Sequence, residues 1–296
     1  MLGAMRTAEG LRNEAMAAAL REAISGKRDR LYGMLAVASG LPGARANMAL
    51  AQGFAQECVG IGAAADRLAF AMAGLSADEA PGASPYEFLP MCGVLALGAR
   101  AAADASLRPR VLAHLHDAAE DLRFRVREVV PLALARIGEK EGDALVAEVS
   151  TWTDGFFQAA AVLLALSESP WLSTLRDPTG PLARLEEAFA LARDAPRSAV
   201  RWPGWKALAE ALSSAPAALA TRFGVPVFDQ LAIWAGSDMP ELRQAVEANL
   251  RSKKLAGRHA PEIARVRQAL ETSAPPPRDP TLIVHGTRGR GKKRRR

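Results

Sequence analysis

The sequence predicts an all-α fold: an α-solenoid of helix pairs followed by a disordered basic C-terminal tail. Three observations carry that expectation. Apolar residues make up 49% of the 296-residue chain and aromatics only 5%, and the apolar share is dominated by Ala and Leu, the strongest helix formers. β-Branched runs of the kind that build sheets are nearly absent, Thr281–Val284 being the closest. Apolar stripes at helical spacing start at residues 50, 88, 126, 157, 204 and 242. A recurrence near 40 residues with two helices per unit is the signature of a helical solenoid.

In order along the chain, residues 1–33 hold a leading helix, Glu9–Ser25, that caps the first repeat. Residues 34–273 form the repeat domain. Its first stripe is Leu50, Gly53, Phe54 and Cys58; a Gly/Pro/Asp-rich loop, Gly74–Pro85, leads to the second, Phe88, Met91, Cys92, Leu95 and Ala96. The most regular unit is Leu107–Gly138. A helix begins at Pro109, the polar stretch Asp117–Asp121 turns the chain, and a second helix aligns Val126, Val129, Val130, Ala133, Leu134 and Ile137 on one face. Gly138 is the expected stop, and Pro131 inside this helix removes one hydrogen bond and bends the axis.

The spacing next predicts a helix over Ala144–Thr153, a turn at Asp154-Gly155, and the stripe Phe157, Ala160, Ala161, Leu164 and Ala165. Arg176–Pro181 reads as a loop, and Trp202-Pro203 introduces a weaker copy at Gly204–Leu212. Val227–Trp234, the turn Gly236-Ser237-Asp238 and the stripe Leu242, Ala245, Val246, Asn249 and Leu250 make the last clear pair. Ala256–Leu270 is a final helix carrying Ile263, Val266, Ala269 and Leu270. Ala274-Pro275-Pro276-Pro277 then ends regular structure, leaving residues 274–296 as the tail.

Two segments share one grammar: Asp121 through Val126-Arg127 to Ala133-Leu134, and Ser237-Asp238 through Leu242-Arg243 to Ala245-Val246. In both, an Asp-containing turn precedes a hydrophobic–Arg pair and an Ala/Val-rich second helix. On these residues the chain resembles the HEAT-repeat family, well over Leu107–Lys253 and loosely over Arg45–Ala105. The resemblance implies a non-enzymatic scaffold whose concave face, built from the second helices, contacts a protein partner.

Charge is distributed unevenly. The chain carries 38 Lys/Arg and 32 Asp/Glu, and seven of the cations are Arg288, Arg290, Lys292, Lys293, Arg294, Arg295 and Arg296. Without them the body is close to neutral, so the pI near 9.7 belongs to a short appendage. Those seven residues are the candidate site for nucleic acid or another polyanion. They lack aromatics to stack on bases, so the expected affinity is non-specific and salt-dependent. Thr281–Thr287 is a short β-like island able to add a strand to a partner.

Other motifs point to no cofactor. Gly60-Ile-Gly62-Ala-Ala-Ala65 matches a dinucleotide fingerprint in letters, but Met48–Val59 ahead of it reads as helix where that fingerprint needs a strand. His114 and His116 are two residues apart and diverge on a helix. With His259 and His285 they read as surface or turn residues, and no metal site is expected. Cys58 and Cys92 make no disulfide framework, which suits a cytoplasmic protein. Charges at Arg6, Glu9, Arg12 and Glu14 argue against a signal peptide, and the longest apolar run, Ala159–Leu166, is too short to span a membrane.

The competing expectation is an enzyme. Trp152-Thr-Asp154-Gly is similar to the Trp-and-Asp theme of DNA-alkylation-repair glycosylases, helical-repeat enzymes that hold a damaged base against tryptophans. That resemblance implies Trp152, Trp171, Trp202, Trp205 or Trp234 lining a cavity with an Asp. Against it, Phe156-Phe157-Gln158-Ala159 departs from the aromatic–Arg second helix of that family, and a neutral body suits duplex phosphate poorly. The plainer expectation is that the tryptophans plug adjacent repeats and Asp154 caps a helix.

Overall fold

A computed structural model describes residues 14–273. It is all-helical, with no strand among the described residues. The helices are α1 (described over 14–24), α2 (Asp29–Ala38), α3 (Met48–Ile61), α4 (Ala63–Ala73), α5 (Phe88–Ala103), α6 (Arg108–Ala118), α7 (Phe124–Glu141) and α8 (Asp143–Glu148). They continue with α9 (Phe156–Ser167), α10 (Ser169–Leu172), α11 (Thr179–Arg193), α12 (Pro203–Leu212), α13 (Ala215–Phe223), α14 (Val225–Trp234), α15 (Pro240–Leu250), α16 (Lys253–Ala256) and α17 (Ala260–Thr272). Short 3-10 turns, among them Ser150–Asp154 and Arg197–Arg201, join several of them. The division at residues 33 and 34 falls inside α2.

Each of the six apolar stripes lies on a helix: α3, α5, α7, α9, α12 and α15. These six pack in succession, each on the next. The remaining helices flank the row, α4 on α5, α6 on α5 and α7, α11 on α9 and α12, and α17 on α14 and α15. One apolar core therefore runs the length of the described chain, from Leu20 through Met91, Val130 and Leu163 to Leu250.

Sequence chemistry explains where helices begin and end. Prolines at the first two positions open α6, α10, α12, α13, α14, α15 and α17, where a missing N–H costs nothing and φ is already set. The Asn47 side chain accepts from Leu50 N at 3.1 Å and caps α3. Gly62, Gly142 and Gly224 take φ of 77°, 57° and 65° and turn one helix directly into the next. The Gly60–Gly62 segment is thus a helix–helix junction.

Several boundaries differ from the sequence expectation, each for a packing reason. Helix α7 passes Gly138 and stops at Gly142, because Gly138 lies beneath the indole of Trp171, where a Cβ would sit 2.2 Å from the ring. Pro131 does sit inside α7, in the core. The helix expected over Ala144–Thr153 is α8 followed by the 3-10 turn Ser150–Asp154. Helix α11 begins at Thr179, and the final helix, expected from Ala256, begins at Ala260, after the short α16 and Gly257. Gly53 and Leu164 point to solvent; α3 buries Ala51, Phe54, Ala55 and Cys58, and α9 is covered on nearly every side except Leu164. The first residues of Glu9–Ser25, the proline run from 274, Thr281–Thr287 and His285 lie outside the described residues.

Two buried polar side chains lock the packing. Arg123 is 6% exposed, holds Asp121 through two nitrogens at 2.8 and 2.6 Å, and donates to the carbonyls of Leu75, Ser76 and Ala80 at 2.8–3.1 Å. It thereby fastens the loop between α4 and α5 to the α6–α7 turn. Asn249 in α15 accepts from Ala217 N at 2.8 Å and donates to Leu212 O and Ala245 O at 2.8 and 2.7 Å. Asn249→Leu leaves the first amide of that set and one carbonyl unpaired in the core. A loss of about 2–4 kcal/mol is expected in urea unfolding, and an unchanged midpoint would contradict this bridging role.

Candidate functional site

The row of helices leaves a groove across α3, α5 and α7. Its volume is about 340 Å³, near the lower end for ligand-sized sites. The floor is apolar, formed by Ala55, Leu95, Ala99, Leu132 and Ala133. Gln52 and Gln56 of α3 form one wall, and Arg136 and Glu139 of α7, ion-paired with each other, form the opposite one, with Glu168 and Pro170 at the end. The floor can remove apolar surface from water, the Gln52 and Gln56 amides offer donors and acceptors, and the opposite wall is charged.

A second surface follows the starts of α5, α7, α9 and α12. Tyr86, Leu122, Phe124 and Trp202 are 48%, 91%, 59% and 48% exposed. Arg125 N donates to Glu87 Oε1 at 3.2 Å, joining the α5 start to that of α7. The Arg127 guanidinium lies 4.7 Å from the Phe157 ring and 5.9 Å from that of Phe124, and Phe156 stands 6.2 Å from Trp202. Exposed aromatics interleaved with arginine are typical of binding hot spots. Sequence reading missed this edge: each residue precedes its own stripe, and only the stacking lines them up.

The tryptophans take the packing role expected of them, with one exception. Trp171 Nε1 donates to Gly142 O, Trp205 Nε1 to Ala192 O, each at 3.0 Å, and Trp234 Nε1 to Glu186 at 2.8 Å while its ring stacks on Phe189 at 4.3 Å. Glu186 is thus tied to a buried indole. Trp202 is the exception and lies half out in solvent. Asp154 caps no helix. Both its carboxylate oxygens lie 3.0 Å from His116 Nε2, and the His116 ring meets Trp152 edge-on at 5.2 Å. Trp152 also lines a small cavity with Arg184 and Ala188 of α11, the helix whose Ala192 carbonyl accepts from Trp205, and both indoles are buried.

Titratable groups in the core are structural in setting. Burial pushes the Cys58 thiol up to about 12 and Cys92 well above its ordinary value, which keeps both protonated. His114 turns inward against Phe70, ring centroids 5.9 Å apart, and burial lowers its pKa. Among the described residues no three of His, Cys, Asp or Glu converge at metal-binding distance, and no helix is long and apolar enough to cross a membrane. The seven tail cations, Arg288 to Arg296, lie outside the described residues.

No family model, no curated protein and no solved structure matches the chain. The HEAT and glycosylase resemblances therefore stand on the sequence alone.

Proposed function

We propose that the chain is a scaffold: a HEAT-like α-solenoid that receives a protein partner in the groove on its concave face. In this reading the tail, Arg288, Arg290, Lys292, Lys293, Arg294, Arg295 and Arg296, attracts nucleic acid or another polyanion. The observation that carries it is the groove across α3, α5 and α7, three of the six successively packed helices. Stacked second helices present a long continuous surface, and here that surface offers amides, one ion pair and alkyl groups. Such groups suit holding a chain segment in place. Fold alone does not assign function, and the groove's chemistry supplies the partner class.

A photo-crosslinking residue at position 56 or 132 is expected to capture the same partner protein, because both positions line one groove. Leu132→Arg, which puts a charge on the apolar floor, should lower that capture at least about tenfold. Equal capture by the Leu132→Arg chain would rule out the groove as the docking surface.

A further inference from the structure

The near-neutral body conceals a polarity along the row. Residues 104–194 hold 15 Asp/Glu against 10 Lys/Arg, whereas residues 197–273 hold 11 Lys/Arg against 7 Asp/Glu. The basic surplus is concentrated where α15 gives way to α16: Arg251, Lys253, Lys254 and Arg258 fall within eight residues, all exposed, and no acid occurs from 248 to 261. One carboxylate, Glu247, reaches this group, at 3.4 Å from Arg251. Arg222 is exposed near the end of α13, which packs on α16. A Cβ on Gly224, two residues on, would touch the His259 ring at 3.4 Å, and Arg222 Nε is pinned by Leu175 O at 2.9 Å.

We propose that Arg222, Lys253, Lys254 and Arg258 form a binding site for the phosphate backbone of a nucleic acid on the folded body itself. The site rests on the reading of the tail only for the class of partner; its residues and geometry are separate. Clustered Lys/Arg neutralise phosphates and release condensed counterions, which supplies sequence-independent affinity. Here the cations lie on a fold that holds them close together before binding, so less side-chain freedom is lost on contact. A lipid surface fits less well. The one large apolar residue of α16, Leu255, is fully buried in the core, so no side chain is available to anchor in acyl chains.

The test uses the full chain and a fluorescein-labelled 20-base-pair duplex, with anisotropy titrations from 50 to 300 mM salt. In one variant Lys253, Lys254 and Arg258 become Gln; in a second the seven tail cations become Gln; a third carries only Lys254→Glu. All altered side chains of the body are exposed, and the thermal melts of the first and third variants should superimpose on the parent's. The salt-dependence slope, d log K/d log[salt], is expected to lose about 2 to 3 units in the first variant, since each phosphate contact contributes about 0.9. Lys254→Glu should weaken binding in the same direction. If both body variants titrate like the parent while the tail variant loses binding, the body site is wrong and the tail reading survives. If the tail variant matches the parent and the body variants do not, the tail reading falls and this site stands. No binding by the parent overturns both, and tighter binding to phosphatidylserine vesicles than to the duplex overturns the choice of nucleic acid.

Discussion

Gly93→Ala is expected to destabilise the protein by about 3 kcal/mol, the upper end of the usual cost of overpacking. Helix propensity predicts the opposite sign, since alanine in a helix interior is favoured over glycine by about 0.5–1 kcal/mol. Geometry decides between them. A Cβ at position 93 would lie 2.2 Å from Ala73 N and 2.7 Å from Ala73 Cα. Those are backbone atoms of α4, which cannot swing aside as a side chain can. On the other side of α5, Gly98 lets α7 approach equally closely, with a Cβ there 2.7 Å from Ala133 Cα. Helix α5 is therefore held between two neighbours and has no free direction in which to shift. Opening the α4–α5 contact would also expose Leu68, Met72 and Cys92, all buried now. Gly53 in α3 supplies the control: nothing lies within 4 Å of its Cβ position, so Gly53→Ala should stabilise by about 0.5–1 kcal/mol. Urea unfolding followed by circular dichroism reads both signs, and a Gly93→Ala chain as stable as the parent would contradict the close helix approach.

Arg123→Met should cost about 3–5 kcal/mol, the range for breaking a buried charge pair by removing one partner. The methionine replaces the stem, but three loop carbonyls lose their donors and Asp121 keeps only the backbone N–H of residue 123, at 2.7 Å. Acid adds a second signature. Burial raises the Asp121 pKa, yet hydrogen bonds and charge from Arg123, with a contribution from Arg127, outweigh it and leave the carboxyl below its ordinary value. A depressed folded pKa contributes stability that is complete above the unfolded value, about 3.9, and is lost as pH falls below it. In Arg123→Met the largest of the lowering influences is gone and the burial remains. Asp121 should then take up its proton at higher pH than in the parent. Urea midpoints between pH 3 and 7 test this, and parallel acid profiles for the two chains would exclude Arg123 as the partner that holds Asp121 ionised.

How much of this was legible in the sequence depended on the range of the physics. All six apolar stripes landed on helices because periodicity is local, and prolines such as Pro203 and Pro240 marked helix starts for the same reason. Gly138 was misread because its role is set by Trp171, 33 residues away, and no local pattern distinguishes a packing glycine from a stop. Leu164 was misplaced because α9 is crowded on several sides, which blurs the amphipathic signal. Arg123 looked like one of several arginines until the fold brought the loop from Leu75 to Ala80 beside it. The surfaces followed the same rule. Exposed Phe124 and Trp202 join one edge only through stacking, and the α15–α16 cations were hidden in a neutral total.

The proposed solenoid is tested most directly by native-state hydrogen exchange on the full chain with increasing denaturant. Helices that pack in succession, each mainly on its neighbours, should open in steps. Amides of α15 and α17 at the end of the row should exchange at lower opening free energy than those of α5 and α7 at its tightly packed middle. One opening free energy shared by all slow amides from α3 to α15 would mean a single cooperative bundle and would contradict the solenoid on which the groove depends.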